Sequence, residues 1–269
     1  MLLAIDSGNT NTVFAILDGE TILHRWRIST ANARTADEYM VWISQLMGLA
    51  KLNPTEIDGA IIATVVPPTL FQLRVLCKRY FNVEPLVVGE EGMDLGIHVN
   101  LPNPDEVGAD RLVNAVAGHA RYGGPLILID FGTATTFDVV TKDGDYEGGV
   151  ISPGINLSID ALYNAAAKLP KIAVEVPRQG QVIGKSTITA MQSGVMWGYV
   201  GLLEGMVDRI TAEFGEPMTV VGTGGLAVIF ETQSQVIVLV DFFFNDRGIS
   251  VIYTRNMVET SSVRRLSAP

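Results

Sequence analysis

Two stretches of the chain carry the same chemistry-bearing phrase. Leu3-Ala4-Ile5-Asp6-Ser7-Gly8-Asn9-Thr10-Asn11-Thr12-Val13-Phe14 is echoed by Ile127-Leu128-Ile129-Asp130-Phe131-Gly132-Thr133-Ala134-Thr135-Thr136-Phe137-Asp138. In each, an apolar run delivers an Asp, then a Gly, then a hydroxyl-rich return run. Thr12 and Thr136 stand at the same offset from their Asp. An Asp at the carboxyl end of a buried strand projects into the crevice where α/β folds bind ligands. The Gly lets an anion approach the backbone, and Asn9, Thr10, Asn11 and Thr12 offer N–H and O–H donors suited to phosphate oxygens. A carboxylate among such donors makes sense when it holds a metal ion or its water shell. A single copy reads equally well as a hairpin built from turn formers. Repetition in matching context favours the ligand site and a duplicated unit.

A third stretch, Asn103-Pro104-Asp105-Glu106-Val107-Gly108-Ala109-Asp110-Arg111-Leu112-Val113-Asn114-Ala115, reads as the start of a helix. Asn103 is expected as N-cap and Pro104 as N1, with Asp105 and Glu106 complementing the dipole. Asp110 and Arg111 then fall near the helix start, with Gly108 permitting close approach. Taken alone, such a pair is as well explained by a salt bridge. Two other motifs mislead. Gly222-Thr223-Gly224-Gly225-Leu226-Ala227 fits the dinucleotide pattern, with Asp241 near the distance of a ribose-binding acid, but it stands late in the chain instead of opening a βαβ unit. Gly180-Gln181-Val182-Ile183-Gly184-Lys185-Ser186 is one residue short of a mononucleotide phosphate loop and follows no buried strand.

The elements that must position these residues follow from periodicity. The strand ending at Asp6 is followed by runs Thr12–Leu17 and Thr21–Ile28, turned at Asp18-Gly19. Helical spacing covers Thr35–Leu49 and Leu70–Phe81, with strands expected at Ala60–Val66 and Pro85–Val88. The order β-β-β-α-β-α-β is that of a ribonuclease-H-like unit. It repeats through Leu126–Asp130, Thr136–Thr141, Tyr146–Ile151, a long helical region, Met218–Val221 and Val236–Val240, with helices at Leu226–Glu231 and the C-terminus. Domains are expected at 1–117 and 118–269, with a frayed tail over Thr260–Pro269. At 269 residues, 48% hydrophobic and 18% charged, the chain has apolar material for two cores. A net charge of −10 argues against nucleic-acid or anionic-membrane partners. Cys77 is the sole cysteine, which excludes an intrachain disulfide. With no apolar run near the ~20 residues of a membrane span and no leader segment, a soluble cytoplasmic protein is expected.

Two such units in one chain resemble the acetate and sugar kinase, heat-shock ATPase and actin superfamily. That resemblance implies an α/β fold of two duplicated ribonuclease-H-like domains with a nucleotide cleft between them. More narrowly, residues 6–12, Gly108-Ala109-Asp110-Arg111, Asp130-Phe131-Gly132-Thr133-Ala134 and Thr223-Gly224-Gly225-Leu226-Ala227, in this order, resemble type III pantothenate kinase over residues 3 to about 230. The resemblance implies ATP-dependent phosphorylation of pantothenate to 4′-phosphopantothenate, the first step of coenzyme A synthesis. It assigns Asp6, Ser7, Gly8, Asn9, Thr10, Asn11, Thr12 and Val13 to the ATP phosphate loop, with Mg²⁺ at Asp6, and Thr133 to a further ATP contact. Gly108, Ala109, Asp110 and Arg111 would bind pantothenate, Asp110 as proton acceptor, with Thr187 a further substrate contact. Asp130 would hold a monovalent cation, K⁺ or NH₄⁺, and the protein would be a homodimer. Two departures stand out: Leu101 replaces an aromatic pocket residue, and Val240-Asp241-Phe242-Phe243-Phe244-Asn245-Asp246-Arg247-Gly248 replaces a more polar turn. The second is expected to leave the phosphate machinery untouched. A kinase with another small hydroxylated acceptor, or a non-catalytic ATP-binding regulator, remains open at this point.

Overall fold

The computed structural model describes residues 1–266, with side chains described through residue 257 except that of residue 179. The chain forms two compact units, residues 1–121 with 243–269, and residues 122–242. The last helix, which the sequence reading counted with the second half, therefore returns to the first.

In the first unit, β1 (Leu2–Ser7), β2 (Asn11–Asp18) and β3 (Thr21–Ser29) form an antiparallel meander, followed by α1 (Ala36–Leu49), β4 (Gly59–Thr64), α2 (Pro67–Tyr80) and β5 (Leu86–Val87). The sheet order is β3-β2-β1-β4-β5, with β4 and β5 parallel to β1. The central strands β1 and β4 are buried on both faces and so read as continuous apolar runs. Strand alternation still sorts them. Leu3, Ile5, Phe14, Ile16 and Ile62 pack with Tyr39, Ile43 and Met47 of α1 and Leu73, Leu76 and Cys77 of α2. Leu2, Ala4, Ala15, Leu17, Ile61 and Ala63 pack with Val113 and Val116 of α3 (Ala109–Tyr122) and with Ile249 and Ile252 of α7 (Phe244–Leu266). Thr35 begins α1 with a capping box, its hydroxyl accepting from Glu38 N while the Glu38 carboxylate accepts from Thr35 N.

The second unit repeats this topology with β6 (Leu126–Phe131), β7 (Ala134–Val140), β8 (Tyr146–Pro153), β9 (Thr219–Gly224) and β10 (Leu239–Val240), in the order β10-β9-β6-β7-β8. The long helical region resolves into α4 (Ile155–Ala165) and α5 (Thr187–Phe214), and the short α6 (Ala227–Glu231) follows β9. Ile127, Ile129, Phe131 and Phe137 meet Met196, Tyr199, Val200 and Leu203 of α5 and Phe230 of α6 in its core. The expected duplication of a β-β-β-α-β-α-β unit is met. Ser186, in the stretch that mimics a phosphate loop, caps α5 by accepting from Thr189 N. Asp241, placed by the dinucleotide pattern, is buried and accepts from the Tyr122 hydroxyl at 3.1 Å.

Three details depart from expectation. The helix expected from Pro104 is a single 3₁₀ turn over Pro104–Glu106, and α3 starts only at Ala109, after an extended Val107 (ψ 124°). Asn103 accordingly bonds Glu106 through its side chain and does not cap α3. The backbone of 260–266 continues α7 where a frayed tail was expected, and the rest of that tail lies outside the described residues. The matched Thr12 and Thr136 are not equivalent, because Thr12 pairs across from Ser7 whereas Thr136 pairs across from Asp130. The second hairpin is one residue shorter at its turn: Gly8 N bonds Asn11 O, but Gly132 N bonds Ala134 O. Thr135, opposite Phe131, takes the place of Thr12.

Candidate functional site

On β1 the alternation that points Leu2 and Ala4 toward α3 and α7 continues to Asp6, and that which points Leu3 and Ile5 toward α1 and α2 continues to Ser7. The two neighbours therefore have different surroundings. The Ser7 hydroxyl is fully buried, 3.1 Å from Thr12 Oγ1 and 3.1 Å from Thr69 Oγ1 on α2. Thr12 Oγ1 lies 3.0 Å from Thr30 Oγ1, and Thr30 donates to the Gly8 carbonyl at 2.7 Å. Ser7 and Thr12 thus spend their side chains on a hydroxyl chain beneath the loop, and Val13 is buried. Asn9 and Thr10 are exposed at the hairpin tip, with Gly8 and Asn11 partly so. No side chain stands over Gly8, where an added Cβ would meet only Asn11 O at 3.5 Å.

Asp6 is gathered with the first turns of two helices. From α7, Asn245 Nδ2 donates to Asp6 Oδ2 at 2.9 Å. This corrects the expectation that the Phe-rich C-terminal segment stays clear of the phosphate-loop acid. Next to Asn245, Asp246 is 2% exposed and accepts from Arg25 Nε of β3 at 2.6 Å. Burial pushes the Asp6 carboxyl up to about 6, with the Asn245 bond opposing that shift and the charges of Asp110 and Asp246 adding to it. From α3, Asp110 folds back on its own helix start, its Oδ1 accepting from Arg111 N at 2.8 Å. That fold needs Gly108, because a Cβ there would stand 2.7 Å from Asp110 Oδ1. Ala109 is buried beneath it, and Arg111 is partly buried. Burial raises the Asp110 carboxyl, against the lowering effect of the Arg111 backbone bond and guanidinium. The first unit therefore brings Asp6, Gly108, Asp110 and Asn245 together.

The second unit builds a parallel arrangement around Asp130, at the end of β6 between β7 and β9. Thr223 pairs across from Asp130, and Gly224 follows with φ +90°; a Cβ there would lie 2.7 Å from Phe131 O and 2.9 Å from Asp130 Oδ1. Thr133 is exposed at the hairpin tip, and its carbonyl accepts from Gly154 N at 3.0 Å. The buried Thr135 hydroxyl lies 2.6 Å from Tyr199 OH, which donates to Pro153 O at 2.8 Å. Thr187 is exposed in the first turn of α5.

Among the described residues no three His, Cys, Asp or Glu side chains converge as a metal cage. Single carboxylates beside phosphate donors suit Mg²⁺, which is bound through one or two carboxylates, phosphates and waters. Asn245 and Arg25 escaped the sequence reading. Asn245 was signalled only by the polar triplet Asn245-Asp246-Arg247 after three phenylalanines, and nothing local ties that triplet to Arg25 or Asp6 far upstream.

Comparison with known proteins bears on this geometry. Residues 2–209 match the family described as type III pantothenate kinase. The chain is 60% identical over 256 residues to the type III pantothenate kinase of Paramagnetospirillum magneticum, covering 95% of this chain and 98% of that one. It is 55% identical over 261 residues to that of Caulobacter vibrioides, covering 97% and 100%. Among solved structures, a conserved putative Baf family transcriptional activator from Campylobacter jejuni superposes with TM-score 0.59 at 18% identity, covering 94% of this chain and 98% of that one. The activator of 2-hydroxyisocaproyl-CoA dehydratase from Clostridium difficile, with bound ADPNP, gives TM-score 0.57 at 13% identity, covering 98% and 97%. At those identities the two structures speak for the fold alone.

Proposed function

The chain belongs to the type III pantothenate kinase family, and from that premise we infer that it phosphorylates pantothenate with ATP, Asp110 taking the proton from the acceptor hydroxyl. The observation that carries the assignment of the base is the Asp110 carboxyl itself, folded against its helix start and raised by burial. A carboxylate whose pKa is raised is a stronger proton acceptor than an ordinary one. In the reaction the hydroxyl oxygen forms a bond to the γ-phosphorus as its proton passes to Asp110, and the bond to the ADP oxygen breaks. Phosphoryl transfer asks the protein for positioning and charge neutralisation.

The residues divide that work. Asn9, Thr10 and Asn11 offer the accessible donors to phosphate oxygens, Gly8 leaves room for the phosphate above the backbone, and Ser7, Thr12 and Val13 hold the loop's shape from beneath. Asp6 would hold Mg²⁺ or its waters; when bound, that ion neutralises phosphate charge. Gly108, Ala109 and Arg111 form the acceptor segment beside Asp110, with Thr187 a further substrate contact, and Thr133 meets ATP. Asp130 takes K⁺ or NH₄⁺, a reading supported by its placement at the strand end in the second copy of the hairpin. A second copy of the chain and the cytoplasm complete the picture. The dimer reading gains support from exposed apolar side chains on and near α4 and α5, among them Leu157, Tyr163, Val182 and Ile183. The test is ADP release on addition of pantothenate, with and without a monovalent cation. Release that ignores pantothenate removes the acceptor assignment, and indifference to K⁺ and NH₄⁺ removes the cation from Asp130.

A further inference from the structure

The Phe-rich segment at the start of α7 reaches the phosphate-binding acid from the far end of the chain. We propose that Asn245 is a positioning residue for nucleotide binding, fixing the Asp6 carboxylate so that one oxygen is held by the protein and the other serves the nucleotide. The inference rests on the phosphate-loop reading of Asp6 and adds to it the group that orients the acid.

Three observations carry it. Asn245 Nδ2 donates to Asp6 Oδ2 at 2.9 Å, and no hydrogen bond from a described residue reaches Oδ1. A carboxylate has two equivalent oxygens and a free torsion; one bound oxygen removes the torsion and breaks the equivalence. Asn245 is itself held. Its neighbour Asp246 is anchored by the Arg25 guanidinium at 2.6 Å, and that guanidinium lies over the Phe243 ring at 6.0 Å to the centroid. Behind the turn, Gly248 packs so tightly on α3 that a Cβ would stand 2.3 Å from Val113 O. The first turn of α7 thus lies fixed between β3 and α3. A neutral amide also suits this position: it satisfies a carboxylate already crowded by Asp110 and Asp246 without a cation to compete for it. Of the residues just before the triplet, Phe244 is buried and Phe243 lies beneath the Arg25 and Arg247 guanidinium groups, so these two rings help to seat it.

The test is a double-mutant cycle with MgATP as varied substrate, comparing wild type, N245L, D6N and D6N/N245L. N245L keeps the side chain's volume and deletes the donor. A hydrogen bond to a charged group at this position predicts a fall in kcat/KM for MgATP of about tenfold in N245L, with KM for pantothenate within about twofold. In the D6N background the same substitution should change kcat/KM by less than about twofold, because the charge it orients is gone. A packing role would lower activity equally in both backgrounds, and that result overturns the proposal. So does N245L matching wild type while D6N is impaired, which leaves the phosphate reading of Asp6 intact. D6N matching wild type would retire that reading and this inference with it. Should N245L fail to fold, N245D keeps the shape and sets a second negative charge against Asp6. It must then lose more MgATP efficiency than pantothenate efficiency, and equal losses overturn the proposal.

Discussion

Asp110 and Asp6 are both carboxylates raised by burial, yet the reaction asks opposite things of them. As the proposed base, Asp110 must be ionised and waiting for a proton, so D110N should retain ATP binding while turnover falls by ~10²–10⁴-fold. Equilibrium nucleotide binding measured beside single-turnover rates separates the two effects, and turnover within about threefold of wild type would remove Asp110 from the role. On the proposed reading, Asp6 serves the nucleotide complex at the expense of the free enzyme. Its carboxyl moves from 3.8 to about 6 on folding. Between those values the folded chain holds a proton that the unfolded chain has released, so stability falls as pH rises through that window. Above it the free enzyme carries a penalty of up to about 3 kcal/mol, reduced where water reaches the group. Without Mg²⁺ or nucleotide, D6N should therefore melt higher than wild type at pH 7.5, the difference shrinking toward pH 4. Thermal melts across that range check it, and a D6N variant less stable at pH 7.5 would contradict the sign.

At the level of elements, the central strands β1, β4 and β6 were legible because burial on both faces writes them as unbroken apolar runs between turn residues. The hairpin repeat was legible because Asp and Gly each have a physical reason to recur. Register was not. Matching Thr12 to Thr136 by offset ignores turn length, and the one-residue difference appears only in the ladder, where Thr135 lies opposite Phe131 as Thr12 lies opposite Ser7. The direction of polar side chains was likewise not legible from residue type: strand parity sends the Ser7 and Thr12 hydroxyls inward. The start of α3 misled because Asn103-Pro104 is a good helix opening, and only the extended Val107 shows that it opens a 3₁₀ turn. Helix α7 carries a prediction of its own. Propensity favours Ala over Gly within a helix by about 1 kcal/mol. At Gly248, however, the new Cβ would stand 2.3 Å from backbone Val113 O, and overpacking of this kind costs about 1–3 kcal/mol. G248A should lower the melting temperature and, by displacing Asn245, kcat/KM for MgATP. A more stable variant would mean that α3 and α7 can part freely.

For the whole chain, the consequence lies in where each unit's core comes from. Among the described residues, the buried cluster that joins β6 and β7 to α5 and α6 in the second unit runs from Ile127 to Ile237, within one continuous segment. The first unit closes one face of its sheet with Ile249 and Ile252, both 0% exposed against Leu2, Ala4 and Ile61. Burying two such side chains stabilises by about 3–6 kcal/mol, which is comparable to the about 5–15 kcal/mol by which domains are stable at all. The two segments should therefore behave differently when separated. Residues 122–242 should fold alone with a cooperative thermal transition. Residues 1–121 should not: without α7 the fragment exposes Leu2, Ala4 and Ile61, and should bind a hydrophobic dye and melt without a sharp transition. Joining residues 243–266 to its end through a flexible linker should restore cooperativity, because the missing face is supplied in high effective concentration. A sharp transition for 1–121 by itself would mean that α7 covers the sheet without stabilising it. Asn245 would then sit on a helix free to leave Asp6, and the anchoring that makes it a positioning residue would be lost.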